Sequence, residues 1–300
     1  MGTVVRLGSS VAPSMQGKRV GVQWLYSCCH ECPTCRRGSS HICPRQGNTG
    51  RSCPGTLQQY VVADSRHIFE IPEALSGELA APLLCAGLTM MGAARDLRAH
   101  GLAQGDWVVI LGSGGGLGHI GIQIAARVMG LRVIAVDKGS SKRSVSLESG
   151  AEVFVDYTES DVAAEVTKHT GEGAAGVMVV SDAEEAFRLS ARLARPAGII
   201  LCIGLPPDQQ EIPVSVGMCI RKGMTRFHSL GRTPLKHSLP ALTIKGVLVG
   251  SENDMHELFQ HAVEGVINPL TEVVGFSEAP ESLRKLVKKE IAGRIVVALP

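Results

Sequence analysis

Five of the chain's nine cysteines lie between Cys28 and Cys43, and four keep the spacing Cys29-x2-Cys32-x2-Cys35-x7-Cys43. Four thiolates so placed close a tetrahedral shell around Zn2+, with bonds of about 2.3 Å, which is the structural rather than the catalytic arrangement. Residues 28–44 are rich in proline, glycine, serine and charge, and too poor in apolar residues to fold by burial. Metal binding would then supply the folding free energy of the loop. The alternatives are free surface thiols or a redox Cys-x-x-Cys pair, and no strand–Cys-x-x-Cys–helix context favours the latter. Cys28 breaks the even spacing and reads as a spare. His30 and His41 are available as substitute ligands, but four cysteines already complete the set.

A second group of residues points to a dinucleotide. The apolar run Trp107–Leu111 enters Gly112-Ser-Gly-Gly-Gly-Leu-Gly118, and a helical pattern (Ile120, Ile124, Val128) leaves it. Another buried strand, Leu131–Val136, ends on Asp137, nineteen residues past Gly118. In such a βαβ unit Gly112, Gly115, Gly116, Leu117 and Gly118 let backbone approach a pyrophosphate at a helix N-terminus, while the acid meets the ribose hydroxyls. The glycines do not keep G-x-G-x-x-G in register and run one residue longer, so the flanking strands and the placed acid carry the reading. Asp137 would repel a 2′-phosphate, favouring NAD over NADP, with Lys142 and Lys138 as nearby cations.

These sites need a scaffold, and the alternation supplies one. Strands are expected near Val153–Asp156, Val177–Val180 and Ile199–Ile203, separated by helical stretches, so the fold class is α/β with a doubly wound parallel sheet. Composition narrows the function classes. With 44% hydrophobic and 19% charged residues the chain is a globular protein. A net charge of +2 and 4% aromatics argue against nucleic acid or an anionic membrane as partner. The basic stretch Arg284–Lys289 reads as a solvated helix face. Trp107–Ala126 is long and uncharged, but its glycines fit strand, turn and helix better than a membrane span. Met1–Ser10 has no apolar signal-peptide region, and nine cysteines without one are thiols or ligands, so a cytoplasmic protein is expected.

The cysteine loop followed by the glycine loop resembles the yeast-type branch of the zinc alcohol dehydrogenases, medium-chain dehydrogenase/reductases. Further stretches match that pattern: Gln58-Gln59-Tyr60-Val61-Val62-Ala63-Asp64, Ala80-Ala81-Pro82-Leu83-Leu84-Cys85-Ala86-Gly87, Gly204-Leu205-Pro206 and Ile291-Ala292-Gly293-Arg294. The resemblance covers nearly the whole chain. It implies a β-rich GroES-like catalytic domain over 1–87, a Rossmann NAD domain over 88–253, and a return to the catalytic domain over 254–300. It also implies Cys85 as a catalytic-zinc ligand, Trp24 as a substrate-pocket wall, Thr89, Ile203 and Gly204 beside the nicotinamide, and Ser181 as a further cofactor contact. NAD and zinc are the implied cofactors, a small alcohol or aldehyde the substrate, and a homo-oligomer (a tetramer by analogy) the assembly.

Three departures set further expectations. The family's other catalytic-zinc ligands are an early Cys and the His of a Gly-His-Glu stretch, which precede the Gly-x-Val-Val pattern, here Gly2-Thr3-Val4-Val5. No Gly-His-Glu stands in these 300 residues. The GroES-like domain is thus expected to be incomplete and the chain as written inactive by the family mechanism, an NAD-binding pseudoenzyme being the alternative. Joining Gly223 to Val247 restores the family's continuity, so 224–246, with two prolines, two histidines and no acid, reads as an aperiodic insert. The turn Ser251-Glu-Asn-Asp-Met255 reads as shortened, which puts a family arginine contact to the cofactor in doubt.

Overall fold

Short strands around the cysteine loop open the chain, and long parallel ones follow. The computed structural model describes residues 1–206, 211–212, 227–228 and 242–300. It divides into two compact units, Met1–Leu88 with Val249–Pro300 and Thr89–Leu248.

In the first unit β1 (Gly2–Thr3) pairs antiparallel with β2 (Arg19–Val22). β3 (Leu25–Ser27) and β4 (Gly47–Asn48) form a separate antiparallel pair that flanks helix α1 (Pro33–Arg36), and β5 (Ile68–Glu70) joins the other side of β2. Strands this short gain little from pairing alone and depend on packing. Gly21 shows how close that packing is: a Cβ there would stand 2.3 Å from Leu84 Cδ2. Leu84 belongs to a π-helical turn, Leu83–Gly87, between α2 (Gly77–Pro82) and α3 (Leu88–His100). Pro82 removes a donor from the helical ladder just before that wider turn. The helical run Gly77–His100 has the length and apolarity of a membrane span, but 72% of its apolar window is buried inside the protein, as in a core helix.

The second unit holds a seven-stranded sheet. Its elements are β6 (Trp107–Leu111), α4 (Gly118–Gln123), β7 (Arg132–Asp137), α5 (Ser140–Ser149), β8 (Val153–Asp156), α6 (Val162–Thr170), β9 (Ala174–Val179), α7 (Glu184–Leu193), β10 (Ala194–Cys202), β11 (Phe227–His228) and β12 (Thr243–Gly246). The spatial order is β11-β12-β10-β9-β6-β7-β8, and every pairing is parallel. Parallel strands are covered on both faces, which is why β6, β7 and β9 are near-continuous apolar runs. From β6 the chain winds first through β7 and β8, then returns past β6 to β9. The order therefore reverses between β6 and β9, where such sheets open a crevice at their carboxyl ends.

Two stretches differ from their sequence reading. β10 begins at Ala194 rather than near Ile199, because an irregularity between Ala194 and Ile199, with Ala197 at φ +61°, interrupts its pairing with β9. Thr243–Gly246, read as the end of an aperiodic insert, is a strand beside β10. Leu242 and Ile244 are buried in the sheet core, and Lys245 meets the buried Asp96 carboxylate at 2.7 Å. Four residues are too few for periodicity to register. The remainder of that stretch, 224–226 and 229–241, lies outside the described residues.

The chain then returns to the first unit through α8 (Glu252–Val263), α9 (Ala279–Val287) and the parallel pair β13 (Thr271–Gly275) and β14 (Arg294–Ala298). Ser251, in the turn read as shortened, caps α8. Its hydroxyl accepts from Asp254 N–H at 3.3 Å while the Asp254 carboxylate accepts from Ser251 N–H at 2.6 Å.

Candidate metal and dinucleotide sites

The cysteine loop is a preformed four-sulfur cage. Cys29 Sγ accepts from Cys32 N–H at 3.4 Å, and Cys32 Sγ accepts from Cys35 N–H at 3.5 Å, which makes Cys32 the cap of α1. Pro33 at the first helical position leaves no donor unsatisfied there. Sulfur separations are 3.8 Å for Cys29–Cys35, 3.5 Å for Cys29–Cys43 and 4.0 Å for Cys32–Cys43, and all four sulfurs lie within 4.8 Å of one another. A Zn–S4 tetrahedron has edges of about 3.8 Å. The four residues therefore fit a tetrahedral thiophilic ion with little rearrangement.

Electrostatics in the cage are uneven. Burial opposes ionisation of Cys29, but N–H groups of Glu31 and Cys32 outweigh it and bring the thiol to about 6. Burial, reinforced by hydrogen bonds with Cys32 and Cys43, pushes Cys35 up to about 12. Backbone donors thus favour the thiolate at Cys29 and, through Cys35 N–H, at Cys32, while burial opposes it at Cys35, and a bound dication is what would make thiolates of all four. Neither reserve ligand joins this cage: His41 is outside the cluster, and His30 Nε2 instead stands 3.5 Å from Cys28 Sγ.

In the second unit the sheet brings the expected cofactor residues to one edge. Asp137 ends β7, Gly112 follows β6, Ser181 follows β9, and Ile203 and Gly204 follow β10. Each strand's exit is tied to its neighbour. Gly112 N–H donates to Val136 O at 2.9 Å, Ser181 N–H to Leu111 O at 3.1 Å, and Ile203 and Gly204 N–H both to Val179 O at 2.9 Å. Gly112 and Ser181 face each other across the reversal of strand order, and a Cβ on Gly112 would stand 3.1 Å from Ser181 N.

The glycines have separable reasons. Gly112 adopts φ +91°, a left-handed conformation. At Gly118, a Cβ would stand 2.3 Å from Gly112 O, so the turn cannot close on any side chain there. Gly204 is equally confined, at 2.1 Å from Ser181 O. Gly115 is different: its Cβ would meet only Gly112 O, at 3.7 Å. The space over Gly115 is therefore an open cradle of the kind a pyrophosphate enters, beside Gly116 and Leu117 where α4 begins. Thr89 is buried next to Met90, whose Cε packs over Gly121 of α4.

Asp137 is 5% exposed and already engaged. Its Oδ2 accepts from Gly114 N–H at 3.0 Å, and its Oδ1 accepts from Lys138 N–H at 2.9 Å and Lys142 Nζ at 3.2 Å. The sequence therefore read both members of an ion pair as cofactor residues. It missed Gly114, whose Cβ would stand 2.5 Å from Lys142 Cβ, and whose signal was only one more glycine in a run. It also missed His119, buried in α4 with Nδ1 2.8 Å from Gly115 O.

In the first unit Cys85 is exposed on the π-helical turn, and Trp24 is half-buried between β2 and β3, its carbonyl accepting from Thr49 N–H at 2.8 Å. Burial lowers the pKa of Arg294, partly offset by the charge of the neighbouring Cys85. Among the described residues Cys85 joins no cluster of three ligating side chains, so the residues present do not by themselves fit a second, catalytic metal at that position.

Comparison with known proteins agrees with both halves. Residues 1–73 match the alcohol dehydrogenase GroES-like domain, and residues 116–264 match the zinc-binding dehydrogenase family. The chain is 33% identical over 299 residues to an alcohol dehydrogenase of Schizosaccharomyces pombe, covering 99% of this chain and 79% of that one. It is 35% identical over 312 residues to alcohol dehydrogenase 2 of Emericella nidulans, covering 100% and 79%. Among solved structures, acetophenone reductase of Geotrichum candidum in complex with NAD superposes with a TM-score of 0.80 at 25% identity, covering 99% of this chain and 78% of that one.

Proposed function

The chain belongs to the zinc-containing alcohol dehydrogenase family of medium-chain dehydrogenases, a GroES-like domain joined to a Rossmann domain, and from that premise we propose that it is an NAD-dependent oxidoreductase interconverting an alcohol and its aldehyde or ketone. The observation that carries this reading is the reversal of strand order between β6 and β9, with space over Gly115 and a carboxylate at Asp137 beside it. NAD held there would supply a hydride acceptor for the alcohol carbon, and NADH the donor in the reverse direction, with the hydroxyl proton released to solvent.

The chain's own residues would do the rest. Gly112, Gly114 and Gly118 hold the loop close enough to the sheet for backbone N–H groups to meet the pyrophosphate. Asp137 accepts from ribose hydroxyls and repels a 2′-phosphate, and Lys142, paired with it at 3.2 Å, keeps the carboxylate turned toward the loop. Ser181, Ile203, Gly204 and Thr89 line the nicotinamide half, and Trp24 walls the substrate. Cys29, Cys32, Cys35 and Cys43 would hold a structural Zn2+ that fixes the loop. Cys85 would offer a metal at the substrate end no more than one ligand. The catalytic domain is assigned to 1–87 and 254–300 and the NAD domain to 88–253. That Cys85 joins no group of three ligating side chains among the described residues supports a second reading, an NAD-binding protein without turnover. A small-molecule substrate, a homo-oligomer and a cytoplasmic location complete the proposal.

The test is alcohol-dependent reduction of NAD, followed by the absorbance of NADH across primary and secondary alcohols, beside NAD binding. Turnover with binding supports the enzyme. Binding without turnover selects the second reading, and absence of binding overturns both.

A further inference from the structure

Cys28, His30 and His67 form a cluster that the four-cysteine cage does not use. One donor atom from each lies within 4.8 Å of the other two. Cys28 Sγ stands 3.5 Å from His30 Nε2 and 3.6 Å from Nδ1. The His30 and His67 rings stack at 5.3 Å between centroids, 15° from parallel. His30 is held at φ +57°, a left-handed conformation uncommon outside glycine. His67 is set by the short helical turn Ser65–His67, capped by Asp64, whose carboxylate accepts from Arg66 N–H at 3.0 Å.

The telling atom is His67 Nε2. His67 is 8% exposed, and this nitrogen is buried without a hydrogen-bond partner among the described residues. Buried polar atoms are almost always satisfied, so an orphan in a group of three ligating side chains asks for an unseen partner. A thiol–imidazole hydrogen bond between Cys28 and His30 would occupy those two and leave His67 Nε2 orphaned. A cation would satisfy all three.

We propose that Cys28, His30 and His67 bind one divalent cation of the Zn2+ class, separate from the ion of the four-cysteine cage. One thiolate and two imidazoles suit a borderline-soft metal, and three protein ligands leave one coordination position open. Bonds of about 2.3 Å to sulfur and 2.0–2.1 Å to nitrogen place ligand atoms roughly 3.5 Å apart, a spacing that Cys28 and His30 already have. The thiol proton leaves to solvent on binding, and the exposed His30 marks the way in. The site would pin the approach to β5 onto the cysteine loop. Because Cys28 and Cys29 are consecutive, filling one site orders the backbone of the other.

The purified 300-residue chain is loaded with Zn2+, freed of excess and counted for metal by mass spectrometry, beside the double variant Cys28→Ser/His67→Gln. The wild type is expected to keep one more Zn2+ per chain than the variant. Equal counts overturn the proposal. A Cys35→Ser variant removes a ligand of the four-cysteine ion and keeps all three of the other site, so failure of the cage is seen separately. Should the double variant fail to fold, zinc X-ray absorption on a Cys85→Ser chain decides. A mixed sulfur and imidazole shell supports the site, and a shell of sulfur alone overturns it.

Discussion

Gly118→Ala would test the architecture of the glycine loop, because its cost can be worked from the backbone. The new Cβ would stand 2.3 Å from Gly112 O, 2.5 Å from Ser113 O and 2.6 Å from Ser113 C. All three are main-chain atoms, so no rotamer change relieves the clash. Relaxed contact needs roughly 3.5 Å, and the loop must therefore retreat by about 1 Å. Overpacking on this scale costs about 1–3 kcal/mol. At about 2–4 °C per kcal/mol for a domain of this size, Tm should fall by roughly 2–12 °C. The displaced loop also misaligns its N–H groups with a pyrophosphate, and losing one charge-assisted hydrogen bond weakens NAD binding by roughly 10- to 100-fold. Gly115→Ala is the control. Its Cβ meets only Gly112 O, at 3.7 Å, so Tm should move by no more than about 2 °C while the methyl fills the cradle and NAD affinity drops. Scanning calorimetry and calorimetric NAD titration read both effects. Wild-type melting and affinity in Gly118→Ala, or wild-type affinity in Gly115→Ala, would refute the assignment of the loop.

Other expectations follow from the same structure. Asp137→Asn keeps the shape of a side chain that takes hydrogen bonds from Gly114, Lys138 and Lys142 but removes its charge. NAD affinity should fall roughly tenfold and the preference over NADP should shrink, as competitive titration of the two cofactors would show; an unchanged ratio counts against Asp137 as the discriminating group. Metal removal by a chelator should deprotect the amides of residues 28–44 in hydrogen exchange while the parallel sheet keeps its protection, because burial alone does not hold that loop. Unchanged protection there would mean that no ion organises it. The Asp156 carboxylate accepts from Thr158 Oγ1 at 2.6 Å, Gly139 N–H at 2.8 Å and Thr158 N–H at 2.9 Å, which holds its pKa below the usual carboxylate range. A depressed folded pKa contributes stability above the unfolded value of about 3.9 that is lost as pH falls through the folded one. Asp156→Asn should therefore lower the urea midpoint at pH 7, with the difference from wild type closing below about pH 4; a difference that does not vary with pH would show that the charge is irrelevant.

What was legible in the sequence, and what was not, has a physical basis. β6, the glycine loop, β7 and Asp137 could be read because strands buried on both faces are apolar runs and a left-handed turn selects glycine. The cysteine cage could be read because all four ligands fall within one short loop. β12 could not, since Thr243–Gly246 is only four residues long and its membership in the sheet depends on Leu242, Ile244 and the Lys245–Asp96 pair, 149 positions apart in the chain (245 − 96). The π-helical turn at Cys85 leaves no periodic signature beyond Pro82. His67 could not be linked to Cys28 and His30 because the fold, not the spacing, brings them together. The glycine count also hid which glycine does what: Gly114, read as one of a run, gives room to Lys142, while Gly115 has space over it.

The most direct measurement is calorimetric titration of NAD into the purified chain. A crevice built from Gly112, Gly115, Gly118 and Asp137 predicts saturable binding at one NAD per chain, weaker binding of NADP, and loss of affinity in Gly115→Ala. Absence of saturable NAD binding by the folded wild-type chain would contradict the account at its centre.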